Sequence, residues 1–158
     1  EIYTLSLHDA LPIFGRDNQQ KFREEIRQRE GKDFVIKRVI KNIRDLINAG
    51  QNKIVLDGLY TWSEYKILKH EFPGQVVVIA IVTPKHLRYQ RMTKRPERPM
   101  QPREVDQRDW SEIENLEKGG PIAIADYFII NDSDLTQLHQ KIDAVTRDAH
   151  FCKAPEQC

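Results

Sequence analysis

Apolar residues recur along this chain in two styles, at three- and four-residue spacings and in short unbroken runs, and the two styles alternate. Asp17 to Arg29, with Phe22 and Ile26 four apart, predicts an opening helix that Gly31 breaks. Asp33 is placed to cap a second helix, whose apolar face is Ile36, Val39, Ile40, Ile43, Leu46 and Ile47. Gly50 sits where a left-handed stop is expected. Lys53 to Gly58 is a continuous apolar run ending in acid and glycine, which predicts a strand covered on both faces. Ser63 to about Glu71 predicts a helix, Pro73-Gly74 a turn, and Val76 to Val82 a second buried strand. Thr83-Pro84 is expected to cap the next helix. Pro96, Pro99 and Pro102 then interrupt the chain before a helix predicted over Arg103 to Glu117. Tyr127 to Asn131 predicts a third strand, and Leu135, Leu138, Ile142 and Val145 form the buried face of a last helix from about Ser133. Strands alternating with helices predict an α/β fold with a parallel sheet and helices on both faces.

Composition narrows the function classes. The 158 residues suit one domain with a real core, and 39% hydrophobic with 31% charged residues is an ordinary globular balance. The longest apolar run, Val76 to Val82, is too short to span a bilayer, so no membrane role is expected. A net charge of +1 gives no global field for a polyanion, which argues against nucleic acid as the main partner. Cys152 and Cys158 both lie in the polar tail, which fits a reducing cytoplasm, and the scattered histidines show no ligand spacing.

Chemistry is suggested in a few places. Asp57-Gly58 stands at the carboxyl end of a buried strand, where open α/β sheets bind ligands. A carboxylate there suits Mg²⁺ or the orientation of a nucleophile, and Asp-Gly is equally a common turn dipeptide. The run from Lys85 to Arg103 holds Lys85, Arg88, Arg91, Lys94, Arg95, Arg98 and Arg103 against the single acid Glu97. Helical spacing puts Arg88, Arg91 and Arg95 on one face, suited to phosphates or simply to solvent. No G-x-x-x-x-G-K-[ST] occurs, and Lys118-Gly119-Gly120 follows a helix rather than a strand. Trp62 and Trp110 read as packing residues.

Two resemblances add to this. Glu1 to Ile13 is similar, codon for codon, to the translation of a common short-read sequencing adapter, so residues 1–13 are expected to be foreign and the native sequence to begin near Phe14 or Gly15. Ala125-Asp126-Tyr127-Phe128-Ile129-Ile130-Asn131 resembles the closing strand of dephospho-coenzyme A kinases, Arg91 to Arg95 is similar to the R-x-x-x-R leading into the lid of such kinases, and Leu56-Asp57-Gly58 resembles the strand-end Asp-Gly of nucleoside monophosphate kinases.

From about Asp17 to Val145 the chain therefore resembles P-loop kinases of the dephospho-coenzyme A kinase and adenylate kinase type. That resemblance implies a three-layer P-loop-type sheet lacking its first strand and phosphate loop. It implies one domain over 14–148 with a lid about 95–120, and a polar tail over 149–158. It implies an ATP-dependent, Mg²⁺-requiring phosphotransferase for a nucleotide-like small molecule, with dephospho-coenzyme A as the single best acceptor. Asp57 would support the metal or the acceptor hydroxyl. Arg91 and Arg95 would close on the phosphoryl group, Gly58, Arg98 and Arg108 would help bind nucleotide, and Asn131 would lie near adenine. Leu59-Tyr60 departs from the aromatic-Pro-Arg expected after Asp-Gly, which puts an ordinary nucleoside monophosphate acceptor in doubt. The alternatives are a nucleotide-binding ATPase or regulatory module and a nucleic-acid-binding protein using the Lys85 to Arg103 surface. In the fold implied, the missing first strand lies between the strand ending at Asp57 and Val76 to Val82, and that slot is expected either to draw in a strand from Ile2 to Leu7 or to stay open.

Overall fold

The computed structural model describes residues 3–6, 25, 28, 29, 31, 33–59, 61–115 and 117–151. The chain divides into two compact units, Glu1–Gln75 and Val76–Cys158. The helix expected over Asp17 to Arg29 lies mostly outside the described residues, as do both cysteines.

The first unit contains β1 (Tyr3–Ser6), α1 (Phe34–Asn48), β2 (Ile54–Asp57) and α2 (Trp62–Glu71). β1 runs parallel to β2, with Tyr3 opposite Ile54 and Ser6 opposite Asp57. Part of the opening segment thus pairs with β2, as one of the two expected outcomes had it. Ile36, Val39, Ile40 and Ile43 are buried along α1, whereas Ile47 is exposed, so the predicted apolar face ends a turn early. Asp33 stands at the cap position but makes no side-chain cap hydrogen bond. The far end closes as the sequence implies: Gly50, at φ +89°, donates to Ile47 O at 2.9 Å, and Gln51 N donates to Leu46 O at 3.0 Å. That left-handed closure satisfies carbonyls the helix leaves bare, and glycine adopts it without a Cβ penalty.

α2 starts a residue earlier than predicted because Thr61, not Ser63, is its cap. Glu64 N donates to Thr61 Oγ1 and Thr61 N donates to Glu64 Oε2, both at 3.0 Å, which satisfies two otherwise bare helix-end donors. Arg44 Nη2 reaches Glu71 Oε2 at 2.5 Å and ties α1 to α2. Leu68 and Phe72 are buried.

The second unit contains β3 (Ile79–Val82), α3 (Lys85–Lys94), α4 (Pro102–Glu114), α5 (Gly119–Ala123), β4 (Tyr127–Ile130) and α6 (Leu135–Asp148). β3 and β4 are parallel, with Ile79 opposite Tyr127 and Val82 opposite Ile130. β3 is shorter than the predicted Val76 to Val82, because Val78 N is taken by the Asp126 carboxylate at 2.7 Å. The expectation of strands covered on both faces fails here. Ala80 and Ile129 are buried, but Ile81 is 54% and Phe128 51% exposed. β2 likewise alternates, with Val55 exposed. α6 packs on β4, and a two-stranded pair flanked this way leaves part of each face open.

Pro84 occupies the cap position of α3 rather than its first turn, and no side chain caps that helix. Pro102 begins α4 instead of ending the segment before it, and Gln101 N donates to Glu104 Oε2 at 2.6 Å. The predicted Arg103 to Glu117 helix stops at Glu114, because Glu117 takes the left-handed conformation at φ +51° before α5. Asp134, not Ser133, caps α6, accepting from Gln137 N at 2.8 Å. At its other end His150 holds φ +56° while donating to Arg147 O at 3.0 Å, the geometry Gly50 uses with no side chain to clash. His150→Gly is expected to raise stability by roughly 1 kcal/mol, visible as a higher melting temperature. No helix among the described residues is long and apolar enough to cross a membrane.

Candidate functional site

Asp57 and Gly58 belong to the first unit. Asp57 ends β2 with an exposed carboxylate that makes no hydrogen bond or ion pair among the described residues. Gly58 follows at φ +96°, a conformation that a Cβ would strain. A parallel strand therefore hands the chain to a left-handed glycine, with an unpaired carboxylate at the strand's last residue.

The remaining predicted residues lie in the second unit. The Arg91 guanidinium donates to Asn131 O at 2.9 Å, to Asn131 Oδ1 at 3.0 Å and to Ser133 O at 2.9 Å. Two predicted site residues thus meet, but as a structural tie between α3 and the loop after β4. Asn131 N also continues the ladder to Val82 O at 2.7 Å. Arg95 Nε donates to the Arg98 carbonyl, while Arg95 Nη2 and Ser133 Oγ are buried with no hydrogen-bond partner among the described residues. Arg98 itself is exposed at φ +52°. Arg108 is held by Glu112 Oε1 at 2.8 Å on its own helix.

The predicted arginine face of α3 is therefore largely engaged within the fold. Arg88 Nη1 donates to Asp109 Oδ1 at 2.5 Å, and Nη2 bonds Oδ2, a forked pair across α3 and α4. Lys85 Nζ and the Tyr89 hydroxyl both bond Asp106. Lys118 Nζ and Arg108 share Glu112. The cations of this segment that stay exposed with no hydrogen bond or ion pair among the described residues are Lys94, Arg98 and Arg103. Neither a phosphate face nor a solvated face anticipates the acids of α4, which lie one helix further on at matching spacing: Asp106, Asp109 and Glu112. Lys141, also overlooked, donates to Ile130 O and Asp132 Oδ1, both at 2.7 Å, fixing the end of β4. Trp110 is corrected from packing to surface, being 62% exposed. Trp62 stacks on Tyr65 with centroids 5.2 Å apart.

These pairs set the local electrostatics. Hydrogen bonds from Arg88 hold the Asp109 carboxyl below its ordinary pKa, and Tyr89 followed by Lys85 does the same for Asp106. Burial, the largest single influence on Glu112, favours its protonated form, yet the bonds from Lys118 and Arg108 together keep it below the ordinary value. Carboxyls lowered in the folded state stabilise it above their unfolded pKa of about 4 and lose that contribution as pH falls through the folded values. The unit is therefore expected to melt lower as pH drops below about 4. Asp109→Asn should lower the melting temperature at pH 7, by about 1 kcal/mol of stability given partial exposure, and flatten the acid-side slope. A thermal melt series from pH 7 to pH 3 reads both.

Among the described residues no group of three or more His, Cys, Asp or Glu side chains is arranged to hold a metal ion. A groove of about 450 Å³ beside α1, lined by Lys37, Lys41, Arg44 and Glu71 among others, contains none of the predicted residues.

In sequence, the chain is 34% identical over 129 residues to a UPF0200 protein of Sulfurisphaera tokodaii, covering 80% of this chain and 68% of that protein. A UPF0200 protein of Thermococcus onnurineus is 30% identical over 131 residues, covering 80% of this chain and 69% of the relative. This chain belongs to the UPF0200 family. A third member, from Thermococcus sibiricus, is 33% identical over 122 residues, of which the chain spans 63% of the relative's length. No family model matches the chain. The assignment to kinases of the dephospho-coenzyme A kinase and adenylate kinase type is thereby corrected. The Ala125 to Asn131 and Asp57-Gly58 motifs are short, one spanning a strand and its flanks and the other a common strand-end dipeptide, so they do not by themselves single out one family.

Proposed function

We propose that the intact UPF0200 protein is an ATP-dependent phosphotransferase acting on a nucleotide-like small molecule, built on a three-layer parallel sheet of the P-loop type. The observation that carries this reading is the free Asp57 carboxylate at the carboxyl end of a parallel strand, followed by a left-handed glycine. Such a tip is where α/β proteins place a group that orients a substrate hydroxyl and takes up its proton. Within the second unit, considered by itself, Lys94 and Arg98 are exposed positive charges suited to phosphate, with Arg98 on a proline-bounded loop.

The residues present do not fit Mg-ATP on their own. The sequence has no G-x-x-x-x-G-K-[ST], and Asp57 has no carboxylate neighbours arranged for a metal among the described residues. No step through the metal or the nucleotide is assigned to this chain, whose proposed share is orientation of the acceptor and charge.

Calorimetry on a full-length family member tests the reading. Saturable Mg-ATP binding that is tightened by a nucleotide-like acceptor supports it, and a flat titration rejects it. ATP hydrolysis with no phosphorylated product would favour the nucleotide-binding ATPase or regulatory module instead.

A further inference from the structure

We propose that the chain self-associates through the solvent face of α4, by an antiparallel pairing of that helix with its copy in a second subunit. At about 100° per residue, Arg103, Gln107, Trp110 and Glu114 fall in one stripe along α4, with Ile113 on its flank. The opposite side of the helix carries the fully buried Val105, so the stripe faces outward. Trp110 is 62% and Ile113 61% exposed, and Arg103, Gln107 and Glu114 are exposed too. No side chain of Arg103, Gln107, Trp110 or Glu114 makes a hydrogen bond or ion pair among the described residues. Of the other acids of the helix, Glu104 accepts from Gln101 N, and Asp106, Asp109 and Glu112 are held by Lys85, Arg88, Arg108 and Lys118.

The stripe is self-complementary. Arg103 and Glu114 are equally distant along the helix from the point between Arg108 and Asp109, and so are Gln107 and Trp110. A two-fold axis through that point lays the second helix antiparallel to the first. Arg103 then meets Glu114 of the partner subunit, about 8 Å along the helix on each side of the axis. The indole of Trp110 lies over Gln107 of the partner subunit, whose amide can accept its N–H. Each contact occurs twice, the mark of an isologous interface. Exposed Trp110 beside the axis provides an apolar anchor of the kind that carries most interface energy, with Ile113 adding apolar area on the flank. A random apolar face would not also place its one free cation and one free acid at mirror positions. A single helix face is smaller than a standard interface, so the dimer is expected to be reversible, with a Kd in roughly the micromolar range.

Analytical ultracentrifugation of the 158-residue chain at roughly 10–200 µM tests this, the range bracketing such an affinity. The parent chain should dimerise, and Trp110→Ala should weaken the dimer by at least about ten-fold. Arg103→Glu and Glu114→Arg should each be monomeric alone, because each faces like charges across the axis. Mixed together they should form a heterodimer, and the double variant should recover the parent affinity. All these positions are exposed, so unchanged far-UV circular dichroism should accompany every variant. A parent chain that stays monomeric across the range, variants that dimerise as tightly as the parent, or a mixture that forms no heterodimer would each overturn the proposal.

Discussion

Leu68→Ala is expected to destabilise the first unit by about 2–5 kcal/mol. Leu68 is 2% exposed on α2, the helix that packs against the buried Ile36, Val39, Ile40 and Ile43 side of α1. Removing its branched end forfeits buried apolar area and leaves a cavity that neighbouring helices close only in part. The range is comparable with the whole stability of a small unit, so a large unfolded fraction at 37 °C is an acceptable outcome. Urea unfolding followed by circular dichroism reads the effect as a midpoint shift of about 1–2 M. Leu68→Met, which conserves volume, should cost less than about 1.5 kcal/mol and serves as the control. Equal loss in both variants would show that Leu68 is not the packing anchor its burial indicates.

Mg-ATP added to the 158-residue chain is expected to bind too weakly for calorimetry at micromolar concentrations and to yield no turnover. Triphosphate affinity comes from a ring of backbone N–H groups with a lysine aimed at the phosphates, and no such sequence is present. Arginines on one surface attract phosphate without enclosing it, and here Arg88 and Arg91 are already committed to Asp109 and to the Asn131–Ser133 loop. Any binding that does appear should fall steeply with salt, as expected of screened surface charge. Micromolar, salt-insensitive affinity in this chain would contradict the prediction.

The chain pattern carried the framework well wherever one local cause decides the outcome. Gly50 ends α1 because only a left-handed residue closes that helix end, and the sequence shows a glycine there. Tyr127 to Ile130 forms a strand because a short run of branched and aromatic residues between a helix and a polar turn has few other uses. Boundaries were less legible because neighbouring residues compete to cap. Thr61 starts α2 ahead of Ser63 because Glu64 completes the reciprocal box, and Asp134 caps α6 through the single bond it accepts from Gln137 N.

Long-range partners could not be read from periodicity. Arg88 and Arg91 lie on α3 at the expected helical spacing, whereas Arg95 falls just past its end in extended backbone, and what each guanidinium meets depends on α4, on the loop after β4 and on the turn at Arg98. The exposure of Trp110 followed from the same helix pairing, since Asp106 and Asp109 turn toward α3 and leave the indole outside. The apolar runs of β3 and β4 suggested cover on both faces, and burial of alternate residues shows how much of each face stays open. The family itself was misread from short motifs, while identity over most of the chain assigned it.

The most direct test of the proposed function is a product assay on a full-length UPF0200 protein, supplied with γ-labelled Mg-ATP and a panel of nucleotide-like acceptors that includes dephospho-coenzyme A. The account predicts label appearing on one acceptor in step with ADP, and loss of at least about a hundred-fold in kcat for Asp57→Asn, the scale of a lost general base. Label that never leaves ATP for any acceptor, or an Asp57→Asn protein as fast as its parent, would contradict it.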